Sequence, residues 1–321
     1  MAKYFLSFHT IFIVNENIQW LEEFIIYYKH IGFEHFYLYD NEGSSGRGRV
    51  GGGTSKHTKR GYPITTKTPE EDVAKLNRIL NTYKDYITLI KWQPRNLQGE
   101  IEYKQVEAVY HFFKNYGNHS EWVALMDLDE YIFSEKNIDL VQYLRSIGDV
   151  SCLQINQKMF KERRTITSDL ISQDFGCLNA TISWGFKNIV RCEHFKSLAS
   201  IHHIALKDNC ITISPDSKTL RFNHYVFNPG CIKQIKSVKE KLHSKYFPEI
   251  NGSDNGMLRY KHIFDDYINV KKPLHEKKCI NTFCKFFRNS NIDNNGGTHC
   301  CTACKKGKKA HGPYCERKSY S

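Results

Sequence analysis

No window of this chain approaches the roughly 20 consecutive apolar residues that a membrane-spanning helix needs, so no helical span is expected. The apolar N-terminal run from Tyr4 to Val14 has neither a strong basic segment before it nor a small-residue cleavage site after it. It reads as a first core strand rather than a leader. Internal repeats are absent too, so a stacked-repeat architecture is not expected. Cys152, Cys177, Cys192, Cys210 and Cys231 show no metal-like spacing. Buried reduced thiols are the expectation for them, and with no leader the simplest residence is cytoplasmic. What is present is ordinary for a soluble fold: 321 residues, 40% apolar and 25% charged, enough for one large α/β domain or two smaller ones.

Charge is unevenly spread. Of the net charge of +12, residues 271–321 carry +9, with twelve Lys or Arg against three acids. Such a basic tail suits nucleic acid, an acidic surface or an acidic partner, and equally a solvated chain end. The tail also holds six of the eleven cysteines. Cys279 and Cys284, then Cys301 and Cys304, then Cys315 can supply a tetrahedral structural Zn²⁺ site. Free thiols or disulfides are the competing readings.

Periodicity organises the rest. The strand at 4–14 is followed by Ile18, Leu21, Phe24, Ile25, Tyr28 and Ile31 at helical spacing, with Gly32 as a stop. His35 to Asn41 reads as a second strand ending in a carboxylate. Residues 43–69 are rich in Gly, Ser, Lys and Thr and read as a flexible insertion. Their GxGxxG, Gly46 to Gly51, opens no helix, so it is not a dinucleotide loop. Thr68 as N-cap and Pro69 at the first position start a helix with Val73, Leu76, Ile79, Leu80 and Tyr83 on its apolar face. A strand over Ile87–Trp92 and a helix from Glu102 to Tyr116 follow. Asp139 can cap a short helix, residues 151–229 look strand-like, and helices are expected over 231–247 and 258–267. The alternation predicts an α/β fold with a parallel sheet whose ligand groups lie at its C-terminal edge.

The most informative stretch runs from Trp122 to Glu130. An apolar run ends in Asp127-Leu128-Asp129-Glu130. Were it strand, Asp127 and Asp129 would leave on one side. Two such carboxylates suit a hard divalent cation, Mg²⁺ or Mn²⁺, which can hold a diphosphate; a capped acidic turn is the plainer alternative.

Asn15-Glu16, then Trp20-Leu21-Glu22-Glu23-Phe24-Ile25 and Tyr27-Tyr28 with Gly32, then Phe36 to Asn41, Gln105, Trp122 to Glu130, Lys187 to Val190 and His224-Tyr225 form an order of blocks. It resembles glycosyltransferase family 92 across roughly residues 10–240. The insertion and the Cys-rich tail have no counterpart. The resemblance implies a GT-A type fold, a Rossmann-like mixed sheet flanked by helices, over 1–270, with the tail at 271–321 apart. It implies a hexosyltransferase-type enzyme that takes a nucleotide-sugar donor, uses Mn²⁺ or Mg²⁺, and inverts the anomeric carbon. Asp127 and Asp129 would hold the metal, one of them through water, and His224 would complete the shell, with His202-His203 the competing pair. Asp40, Asn15, Glu16 and Gln105 would line the donor crevice, and Lys187 or Arg191 would steady the diphosphate. Asp174 is the leading candidate base for the acceptor hydroxyl, with Glu193 and Asp208 as rivals.

The expected function is thus a metal-dependent inverting transfer of sugar to a glycan or glycoprotein. Two other classes stay open: a metal-dependent nucleotidyl- or phosphotransferase on the same carboxylates, and a nucleic-acid-binding protein with a Zn-stapled basic tail. Nucleic acid is a partner only under the last. Sugar and linkage are not legible.

Overall fold

The computed structural model describes residues 2–44, 68–160, 170–174, 182–225, 254 and 256–265. Most of the expected insertion, the helix at 231–247, Cys177, Cys231 and the whole Cys-rich tail with its Zn²⁺ site lie outside the described residues. The chain divides into two units, residues 1–259 and 260–321; the fold below is that of the first.

β1 (Tyr4–Phe12) is buried on both faces from Leu6 onward, Ser7, His9 and Thr10 included, the position of a central parallel strand. α1 (Val14–His30) follows and turns back at Gly32, whose φ of +99° suits glycine. A side chain there would also meet Val141 at 2.5 Å. β2 (His35–Asp40), α2 (Glu70–Thr82), β3 (Ile87–Lys91), α3 (Gln105–Asn115) and β4 (Ser120–Leu125) complete the alternation. Pro69 stands at the N-cap of α2 rather than at its first helical position. Leu76 and Ile79 are buried as expected, but Val73 is exposed, since α2 packs through a narrower face.

β1 pairs in parallel with β2 and β4, and β2 with β3. Strand order therefore runs 3-2-1-4 and reverses between β1 and β4. In open α/β sheets such a switch point leaves a crevice outside the carboxyl ends of the strands. Phe8 on β1 meets Phe24 and Tyr28 of α1 on one face. Ile11 joins Val109 and Phe112 of α3 in a cluster on the other.

The second half is mixed. β5 (Glu130–Phe133), α4 (Leu140–Ser146), β6 (Val150–Phe160), α5 (Ile171–Asp174), β7 (Ile182–Arg191), β8 (Phe195–Ser200), β9 (His203–Leu206), β10 (Ile211–Ile213) and β11 (Arg221–Tyr225) follow. The main sheet reads β3-β2-β1-β4-β7-β6-β11-β5, with β10 also on β6, while β8 and β9 form a separate hairpin. β7 runs antiparallel to β4 and β6. Asp139 caps α4 as expected, accepting the Gln142 amide at 2.9 Å. The helix expected at 258–267 is a 3-10 helix over Gly256–Phe264. No helix among the described residues is long and apolar enough to cross a membrane. Cys152 and Cys192 are buried free thiols, with burial pushing the Cys152 thiol up to about 12; Cys210 is partly exposed.

Candidate active site

β4 stops at Leu125, so Asp127 and Asp129 are not strand residues as expected. They sit in the tight turn joining β4 to β5, and Glu130 opens β5. Burial still sorts the turn: Leu128 is 3% exposed and drops into the core, while the flanking carboxylates remain partly open. The turn is held by its own groups. The Asp127 amide donates to Glu130 Oε2 at 2.9 Å, and the Tyr225 amide of β11 donates to the Asp129 carbonyl at 2.9 Å.

Register brings the other groups to this edge. Leu125 of β4 lies opposite Asn188 of β7, which sets Lys187 beside the turn. Its ammonium is 2.6 Å from Asp127 Oδ2 and 2.9 Å from Glu130 Oε2. Lys187 is thus a buried counter-ion, not an open surface cation. Those carboxylates outweigh burial and hold it charged, its pKa above the usual lysine range. Burial works against the charge of Asp127, yet Lys187 holds that carboxyl below its usual range. Glu130, more deeply buried, is pushed up to about 7 despite Lys187. Gln105, the first residue of α3, donates to Asp127 Oδ1 at 3.0 Å. Both Asp127 oxygens therefore have protein donors.

Asp129 faces His224 instead. β11 is antiparallel to β5 with His224 opposite Glu130, and His224 Nε2 lies 3.5 Å from Asp129 Oδ2. Burial disfavours the imidazolium, but Asp129 and Glu130 outweigh it and raise His224 to about 9. The Gln157 amide nitrogen of β6, which no sequence signal marks, lies 2.5 Å from the other ring nitrogen, Nδ1.

The remaining candidates are placed as follows. Asp40 ends β2, buried, its Oδ1 accepting the Glu42 amide at 3.0 Å, and burial raises its pKa. Asn15 and Glu16 lie in the first turn of α1, just past the end of β1; their side chains lie outside the described residues. So does that of Asp174, the last residue of α5. His202 is half-buried at the β8–β9 turn, its Nδ1 donating to the Phe186 carbonyl at 2.8 Å. Its charge interaction with Asp127 puts it in the neighbourhood, whereas His203 is exposed.

Arg191 is a correction. It pairs with Trp122 at the opposite end of β4. There its guanidinium lies over the Trp122 ring and bonds Glu121 Oε1 at 2.7 Å and the Val150 carbonyl at 2.8 Å. Sequence proximity to Lys187 misleads, because four residues of extended chain span roughly 13 Å. Of the rival bases, Asp208 is exposed and 3.4 Å from Lys196, and Glu193 sits in a 3-10 turn.

Among the described residues no three His, Cys, Asp or Glu side chains group as a complete metal centre. The Asp129–His224 pair fits a divalent cation of the Mg²⁺ or Mn²⁺ kind, which needs only one or two protein ligands when water and phosphate supply the rest. An imidazole in the pair favours Mn²⁺.

A model of glycosyltransferase family 92 matches residues 72–278. No curated protein matches the chain. Among solved structures, TarS (residues 1–349) of S. aureus is 12% identical, with 83% of this chain and 71% of that one covered, at a TM-score of 0.36. A mannosyltransferase, PcManGT of Pyrobaculum calidifontis solved with GDP-Man and Mn²⁺, is 10% identical over 84% of this chain and 70% of that one, at 0.37. The family match takes in α2 to β11 and with them the turn, Lys187 and His224, and on it the chain belongs to glycosyltransferase family 92 and is a glycosyltransferase.

Proposed function

We propose that this chain is a GT-A type, metal-dependent, inverting enzyme that moves a sugar from a nucleotide-sugar to a glycan or glycoprotein acceptor. One observation supports the reading: the Asp129 and His224 side chains face each other beside the β4–β5 turn, with Asp127 in the same turn held by Lys187 and Gln105.

Asp129 and His224 Nε2 would hold the cation, with Asp127 reaching it through water. When bound, the cation offsets charge on the departing nucleoside diphosphate. The chain's own groups do the rest. Lys187 keeps Asp127 ionised and fixed. Asp40, at the neighbouring strand end, is the acceptor for the nucleoside's hydroxyls, and Asn15 and Glu16 complete that wall. Inversion, which the family resemblance implies, is a single displacement and needs one general base; Asp174 is the assignment offered for it. The glycosyltransferase domain is assigned to residues 1–270.

The test is a panel of nucleotide-sugars assayed for Mn²⁺-dependent hydrolysis and thermal stabilisation. One donor should be hydrolysed. Asp129→Asn should lower that activity about 10²-fold or more, because it weakens the hold on the cation that offsets leaving-group charge. Asp174→Asn should keep donor binding and lose transfer. If no donor in a broad panel binds, the reading fails.

A further inference from the structure

We infer that the outer edge of β3 is an interaction surface, and that its partner is the same strand of a second copy of this chain, paired antiparallel about a two-fold axis at Thr88.

β3 stands at one end of the main sheet, with β2 on one side and no strand on the other among the described residues. Two bonds show which way its backbone faces. The Tyr86 carbonyl accepts the Phe36 amide at 2.8 Å, and the Trp92 amide donates to the Asp40 carbonyl at 2.8 Å. The backbone groups of alternate residues face opposite neighbours. Thr88 and Ile90 therefore also serve β2, while Ile87, Leu89 and Lys91 present their N–H and C=O groups outward. No hydrogen bond from a described residue reaches those outward groups. The other end of the sheet differs, since the Tyr27 and Tyr28 hydroxyls meet the outer edge of β5. Ile87, Leu89 and Ile90 are only half-buried, and Tyr86 just before them is 39% exposed. An uncovered apolar edge is a template for another strand.

Charge selects the occupant and the register. When β3 pairs with its own copy, the outward groups meet only where odd-numbered residues oppose odd-numbered ones. With Thr88 at the axis, Ile87 of one copy lies opposite Leu89 of the other and exchanges two bonds with it, and symmetry repeats the pair. Tyr86 then lies opposite Ile90, an aromatic and a β-branched side chain. Exposed Asp85 falls opposite exposed Lys91, again twice. Moving the axis to Leu89 keeps the backbone bonds but sets Lys91 against Ile87 and Asp85 against Gln93. The Thr88 axis is thus the one that places opposite charges together. One strand pair covers less than the roughly 1,600 Å² of a standard interface, so the dimer is reversible and dissociates on dilution.

The experiment is sedimentation velocity on the intact chain over a wide dilution series in physiological salt. Wild type should pass from monomer to twice the chain mass as concentration rises. Leu89→Pro removes an outward N–H and none that β2 uses, a change that edge strands tolerate, and should stay monomeric throughout. Asp85→Lys turns two attractive pairs into repulsive ones and should weaken the dimer about tenfold. Lys91→Asp added to Asp85→Lys should restore it. Asp85→Lys lies at an exposed turn position, so it carries the test if Leu89→Pro does not fold. A wild-type chain that is monomeric at every concentration would overturn the proposal and leave the edge to a strand of another protein. A dimer that none of these variants weakens would overturn it too, since its contact would then lie on another face.

Discussion

At the scale of single residues, the decisive contrast is between Lys187 as a surface cation and Lys187 as a buried counter-ion. The two make opposite stability predictions. A surface lysine contributes little, roughly 0–1 kcal/mol. Lys187 is 1% exposed and bridges Asp127 and Glu130. Lys187→Met should therefore leave two carboxylates beside each other without a cation and cost about 3–5 kcal/mol in urea unfolding. Adding Glu130→Gln should recover part of that loss, because the two sites are coupled. Stability indistinguishable from wild type would return Lys187 to the role of a surface contact. The site's carboxylates were legible because an apolar run ending in acids is a pattern. Lys187's burial was not, since it depends on β7 lying antiparallel to β4 across some 60 residues of chain. Gln157 was illegible for a plainer reason: a single glutamine in a strand has no local signature, and only the parallel register of β6 and β11 gives it meaning.

At the scale of elements, the structure explains why the α1 block and the Asp127–Glu130 block occur in one chain. Among the described residues β5 ends the sheet order with no strand on its outer edge, a liability for any strand. α1 covers that edge with hydroxyls. Tyr28 accepts the Ile132 amide at 3.1 Å and donates to the Glu130 carbonyl at 2.7 Å. Tyr27 donates to the Ile132 carbonyl at 2.5 Å. One turn earlier, buried Glu23 accepts the Ile171 and Ser172 amides at 2.7 and 2.9 Å, tying α5 to the same helix. Tyr28→Phe would strand a buried amide and a buried carbonyl at about 1–3 kcal/mol each, so a loss of about 2–6 kcal/mol is expected in denaturant unfolding. Because Glu130 anchors the Asp127 amide, the same variant should also weaken Mn²⁺ binding. A variant as stable as wild type would show that β5 does not depend on this cover. The parallel half of the sheet was legible because helices and strands there have distinct periods. The mixed half was not: β5 has four residues and β10 three, too short for a period to show.

At the scale of the whole molecule, acid stability follows from two histidines in central strands. His9 on β1 is packed against Tyr39 and Phe112, and His35 on β2 is stacked on Tyr4 with Thr88 at 2.8 Å. Burial pushes each down to about 4, against roughly 6.5 in an unfolded chain. Each folded pKa lies below its unfolded value, so the native state prefers the neutral ring and the unfolded state binds more protons. Stability is then fully present above about pH 6.5 and lost as pH falls toward 4, by up to about 3 kcal/mol for the enclosed His9 and less for His35, which solvent screens. His224 acts in the opposite sense. Its folded value of about 9 gives stability that is present below about 6.5 and lost as pH rises through 9. The two limbs meet near neutrality, so the thermal midpoint of the metal-free protein should peak there and fall on both sides. His9→Phe keeps the ring packing and removes one acid-sensitive group, so it should flatten the acid limb, which Glu130, raised to about 7, already opposes, while leaving the alkaline limb in place. A midpoint that holds steady between pH 6.5 and 4.5, or an acid limb unchanged by His9→Phe, would show that these rings titrate outside the core.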